Sequence, residues 1–184
     1  FHDIQVLARA DTFPDPKSKG TLVSVATELR WTYPVEKSPL LHRALMVLGM
    51  AWHEGTGRRY GPFTYNRVWT PGDWGAEAGN APPSRVRCNL LGELPAGPYL
   101  LKLVAGDPDT GALGTRTLRF EVPADSNKPF RMSSLVLADA RVPMSPEQAR
   151  EEWARPVTDG RKKKRPVTDP LQVGDSRLLP NPAA

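Results

Sequence analysis

The chain has one cysteine and three histidines in 184 residues, and aromatic residues make up 8% of it. A lone Cys88 permits no intramolecular disulfide and no cysteine-built zinc site. His2, His42 and His53 lie in separate segments with no H-x-x-x-H spacing, so no histidine-based metal or catalytic centre is readable. No run approaches the roughly eighteen apolar residues of a membrane helix, and no membrane span is expected. A G-x-S-x-G elbow and a Walker phosphate loop are both missing. Ser133-Ser134 has no candidate base near it in sequence. No acid, base or nucleophile can be named. The expectation is a protein that is not an enzyme and holds no cofactor or metal.

Apolar residues are also scarce, at 39%, while prolines number 20. That balance predicts a folded core with long Pro-rich connections. The net charge is +5, but residues 155 to 169 hold six basic residues against two acidic ones, which accounts for +4 of it. The high isoelectric point therefore belongs to a tail, which weakens any nucleic-acid reading of the folded part. The chain opens on Phe1, which reads as the start of a fragment or of a processed product.

What the sequence does contain is strand periodicity. Leu94 to Val122 reads as two strands joined at Asp107-Pro108-Asp109-Thr110-Gly111. Tyr99, Leu101, Leu103 and Ala105 share one face of the first strand; Leu118, Phe120 and Val122 share one face of the second. Leu94-Pro95-Ala96-Gly97-Pro98-Tyr99 reads as a sandwich corner in which the Tyr hydroxyl bonds back to upstream backbone. Asp3 to Ala10 and Thr21 to Tyr33 are further strands, separated by turn residues from Asp11 to Gly20. Val23, Val25, Thr27, Leu29 and Trp31 share a face. Leu40 to His53 is ambiguous: its early part is compatible with a helix, but Met46 to Trp52 suits a buried strand and Gly49 disfavours a helix, so strand is the favoured reading, turning at Glu54 to Gly57. Arg58 to Trp69 returns, interrupted near Pro62. Arg85 to Leu91 follows a long loop, with Val86, Cys88 and Leu90 alternating into the core. The fold class is all-β: an Ig-like or fibronectin-like antiparallel sandwich of about seven strands over residues 1–123.

After Pro123 the character changes. Residues 124–154 read as an extension with a strand over Phe130 to Ala140. A short helix follows from Ser145 to Ala154, with Ser145 as N-cap and Pro146 as its first residue. Residues 155–184 read as a disordered Pro-rich basic tail in which Arg155-Pro156-Val157-Thr158-Asp159 recurs at Arg165 to Asp169, and its last stretch could begin another strand.

The succession of LPAGPYLLKLVAGDPDTGALGTRTLRFEVP (94–123), MSSLVLAD (132–139), a charged spacer and DPLQVGDSRLLPNP (169–182) resembles the region that follows the von Willebrand factor A domain in a family of bacterial proteins common in Acidobacteria. The likeness is good over residues 85 to 180 and loose before them. It implies an accessory β-sandwich of a larger exported protein, with other domains of the parent or envelope proteins as partners. The A domain's D-x-S-x-S metal motif is not in this sequence, so metal-dependent adhesion does not carry over.

Three other readings have residues to test. Asp107, Asp109 and Gly111 echo the start of a calcium loop, but Ala112, Leu113 and Gly114 follow where ligands belong, which favours a plain turn. Tyr65, Trp69 and Trp74 could form a sugar-stacking platform, whereas Trp31 and Trp52 read as core. Arg161, Lys162, Lys163, Lys164 and Arg165 could contact a polyanion through counterion release, but carry no interleaved aromatic for base stacking. The leading reading is a non-catalytic module that contacts proteins through sheet edges and loops. Ligand binding comes second and nucleic acid third.

Overall fold

The computed structural model describes residues 3–14, 20–32, 43–69, 85–124, 138–143, 172–173, 176–180 and 182. Two antiparallel sheets pack face to face. The first has the order β1 (Ile4–Pro14), β2 (Thr21–Trp31), β5 (Arg85–Leu94); the second has the order β4 (Arg59–Trp69), β3 (Arg43–His53), β6 (Gly97–Asp107), β7 (Ala112–Val122). Between them lie the residues that alternation predicts. Val23, Val25, Leu29 and Trp31 from β2 meet Leu45 and Val47 from β3 and Tyr99, Leu101, Leu103 and Ala105 from β6. Cys88 joins this core at 4% exposure and is a free thiol. Each large side chain so buried contributes roughly 2 kcal/mol.

β1 is longer than the sequence suggests. Asp11 to Pro14, read there as turn, continues the ladder opposite Ser24 to Thr21. The polar residues of this stretch are held by pairing with β2, which local turn chemistry cannot register. β4 continues past Pro62, and its ladder is interrupted there, as the sequence suggests. Gly49 faces Phe63 and Ala51 faces Tyr60, so Gly61 and Pro62 together stand opposite Met50 as a bulge. Gly61 adopts φ +119°, open to glycine, and a Cβ there would lie 3.0 Å from the Gly49 carbonyl oxygen. The extra residue shifts the alternation, so that Tyr60 and Phe63, three apart, both pack on the core.

Tyr99 is the pivot of the second sheet. It is fully buried, stacks on Phe120 at 5.6 Å and meets His53 and Tyr60 edge-on at 5.0 and 5.7 Å. Its hydroxyl donates to the Pro95 carbonyl oxygen at 2.9 Å, closing the corner read in the sequence. Burial, reinforced by the Tyr60 hydroxyl, drives the phenol's ionisation well above its ordinary range. Tyr99→Phe keeps the ring and orphans the carbonyl. The expected loss is about 1.5 kcal/mol in a denaturant titration.

A third, small sheet has the order β8 (Ala138–Pro143), β10 (Ser176–Pro180), β9 (Gln172–Val173), and β10 lies against β5. β9 and β10 fall in the closing stretch that reads as able to begin a strand. The helix expected at Ser145 to Ala154 lies outside the described residues, as does most of the basic tail.

Candidate functional site

Backbone bonds fix one end of the sandwich. Asp3 N–H donates to the Leu113 carbonyl at 3.0 Å, and Thr32 N–H donates to the Asp3 carbonyl at 3.0 Å. Arg43 pairs with Trp69 at the same end, where β5 begins at Arg85. The sequence candidates divide here. Tyr65 is half-buried and packs against the core from β4, opposite Val47. Trp69 closes β4 at this end. Trp74 and the run from Arg161 to Arg165 lie outside the described residues.

The titratable turn residues have structural duties. Asp107 Oδ1 accepts from the N–H groups of Asp109 and Thr110 at 3.1 and 3.3 Å, and Asp109 Oδ2 accepts from Ala44 N–H at 2.9 Å. These carboxylates tie the β6–β7 turn together and to β3, as the plain-turn reading expects. His53 Nδ1 accepts from Gly55 and Thr56 N–H at 3.1 and 3.2 Å, which leaves Nε2 as donor to the Ala96 carbonyl at 3.3 Å. The ring thus staples two turns. Among the described residues no group of three or more His, Cys, Asp or Glu could hold a metal ion.

Two surfaces stand out instead, one on each outer face. On the second sheet, Met46, Leu48, Val68, Val104 and Leu113 are exposed by 53%, 42%, 59%, 41% and 52%. Leu48 pairs with Val104, Met46 with Gly106, and Gly106 with Leu113, so the apolar side chains run across neighbouring strands. Thr64, Asn66, Thr115 and Thr117 border them on the same face. The far end is cationic: Arg59 pairs with Trp52, and Lys102 Nζ sits 5.5 Å from the Trp52 ring centroid. Trp52 is therefore on the outer face and not in the core where the sequence reading put it. β3 is apolar on both faces, and such a run does not say which face is inward.

The outer face of the first sheet is polar yet buried. Ser24, Ala26 and Glu28 of β2 are 1%, 2% and 1% exposed. Glu28 Oε1 accepts from Arg30 Nε at 2.5 Å, and Oε2 accepts from Arg85 Nη2 and from Arg87 Nε at 2.8 Å. Burial pushes this carboxyl up, but the hydrogen bonds from Arg85, Arg87 and Arg30 outweigh it and bring it down to about 2. On β1, Arg9 pairs with Asp11 at 3.0 Å, and there burial wins and raises the Asp11 carboxyl. Nothing in the sequence pointed to either group as buried. The outer-face parity of Ser24, Glu28 and Arg30 was legible; the three-arginine convergence needs the β2–β5 register.

The sequence matches no family model and no curated protein. Among solved structures, one described as "X-ray structure of Northeast Structural Genomics Consortium target SoR45" is 11% identical, with 71% of this chain and 93% of that chain covered, at a TM-score of 0.33. A likeness at that level carries no argument about function.

Proposed function

We propose that the chain is a non-catalytic protein-interaction module of a larger exported bacterial protein, related to the von Willebrand factor A family's C-terminal region, and that it docks through the outer face of its four-stranded sheet. The pairing of β4 with β3 and not with β5, unlike the constant-type partition, supports reading the sandwich as the fibronectin-like variant of the Ig-like fold. One observation carries the functional reading. A sandwich that stood alone would present alternating polar residues on this face, and here Met46, Leu48, Val68, Val104 and Leu113 are exposed together.

The sheet edges are poorer docking sites than the face. β4 carries the Gly61–Pro62 bulge, and β7 carries Arg116, an exposed charge on its inward-facing row between Gly114 and Leu118. Both devices discourage strand addition. The occupant is a neighbouring domain of the parent chain. Its contact surface is apolar at the centre and carries carboxylates where it meets Arg59 and Lys102. No cofactor is required.

The test uses the native polypeptide recovered from its source. Intact mass and fractionation should return a longer, exported chain. Carbene footprinting should label Met46 and Leu48 several-fold less in that parent than in the isolated module. A free cytoplasmic chain of about 20.3 kDa, or equal labelling of the face in both forms, would overturn the reading. Leu48→Lys with Val104→Glu, an opposite-charge pair across β3 and β6, should deprotect Met46 in the parent while changing module stability by no more than about 1 kcal/mol.

A further inference from the structure

On the opposite side of the sandwich, Arg30 of β2 stands directly across from Arg85 of β5. Like charges in that position repel and are avoided unless something compensates them. Glu28, two residues from Arg30 and on the same face, is the compensating group. A single buried carboxylate needs one guanidinium to balance it. Glu28 has three, and it takes one N–H from each of Arg30, Arg85 and Arg87. The one carboxylate therefore does not neutralise both Arg30 and Arg85.

The arginines are not equivalent. The Arg87 side chain is 13% exposed, whereas those of Arg30 and Arg85 are 47% and 49% exposed. Each guanidinium is a planar fork of five donors, so one bond to Glu28 holds the fork and leaves further donors on the half-exposed Arg30 and Arg85. Gln5 of β1 lies opposite Arg30 on its other side and is exposed. Gln5, Arg30 and Arg85 therefore form one row across three strands, with neighbours about 4.8 Å apart. A row of side-chain donors that carries two guanidinium groups, anchored from below by a buried carboxylate, suits a tetrahedral oxyanion.

We propose that Gln5, Arg30 and Arg85 form a binding site for a dianionic phosphate group. Glu28 positions the two arginines and does not touch the ligand. The site lies on the face opposite the apolar docking surface and does not depend on it.

The experiment titrates inorganic phosphate into the full chain and follows the arginine Nε–H resonances. Saturable shifts of Arg30 and Arg85 are expected, with the affinity rising from pH 6 to pH 8 as phosphate takes its second charge, near pH 6 to 7. Arg30→Gln and Arg85→Gln should each weaken binding by about tenfold, and Gln5→Ala by about threefold. Arg116→Gln, elsewhere on the sandwich, should leave it unchanged. Arg85→Lys keeps the counter-charge for Glu28 and loses the fork, so binding should fall while the fold holds. Acetate should bind about tenfold more weakly than phosphate. A phosphoserine arm separates the sources: tighter binding than phosphate assigns a phosphorylated partner, and weaker binding assigns free phosphate. No saturation by about 20 mM phosphate, an affinity in Arg30→Gln and Arg85→Gln unchanged from the parent chain, or no preference over acetate would overturn the site.

Discussion

Glu28→Gln lowers the unfolding free energy by about 3 kcal/mol at neutral pH, because it leaves three arginines gathered around a group that no longer carries charge. That loss is at the low end for a broken buried pair. Arg30 and Arg85 are half-exposed and can turn to water. Acid unfolding tests the same clamp. Glu28 is held near 2 in the fold against its ordinary 4.5, so the unfolded chain takes up the proton first. The stabilisation is complete above about pH 4.5 and is lost as pH falls from there toward 2. Asp11 works in the opposite sense: its raised carboxyl favours the fold when protonated and costs stability as pH rises through its folded value. Denaturant titrations from pH 2 to pH 7 should therefore show a steep acid limb in the parent and a flattened one in Glu28→Gln. An unchanged limb in that variant would mean that the clamp contributes little.

Gly114→Ala should cost about 3 kcal/mol, the upper end for overpacking, because nothing at the site can yield cheaply. A Cβ on Gly114 would lie 2.0 Å from the Ile4 carbonyl oxygen and 2.9 Å from the Ile4 carbonyl carbon. Ile4 is held on both sides: Asp3 donates to Leu113, and Thr32 donates to Asp3. Relief requires β1 to separate from β7, which breaks the closure of the sandwich at that end. Urea unfolding of Gly114→Ala beside Leu113→Ala makes the comparison. Leu113 is 52% exposed, and its truncation should change stability by no more than about 0.5 kcal/mol.

Neither position announces itself in the sequence. Gly114 falls in GALGTRT, where a glycine after a turn reads as turn chemistry. Its meaning comes from Ile4, far away in the chain, lying over it. Glu28 falls in a strand whose other face was legible from Val23 to Trp31, and a polar residue on the alternate face reads as solvated. Its burial follows from β5 bringing Arg85 and Arg87 alongside. The legible parts were those with a local signature: the turn at Asp107 to Gly111, the tyrosine corner at Tyr99, the alternation of Val86, Cys88 and Leu90. Trp52 was misplaced because its neighbours are apolar on both faces. Of the residues singled out for ligand contact, Tyr65 had no face assigned from the sequence, and the bulge at Gly61–Pro62 sets which of its neighbours share the core face.

β2 has one more property that bears on measurement. It is bonded to β1 on one side and to β5 on the other, and residues 22 to 29 are buried on both faces. Its amides point alternately into the β1 and the β5 ladder, and none can meet solvent unless the ladder that holds it parts. Its amide protons should therefore exchange with deuterium only when the whole sandwich opens, so their rates report the global free energy while edge amides on β4 report local fraying. Isotope exchange at Val25 and Ala26 offers a readout of the stability changes forecast for Gly114 and Glu28 in which no denaturant is needed.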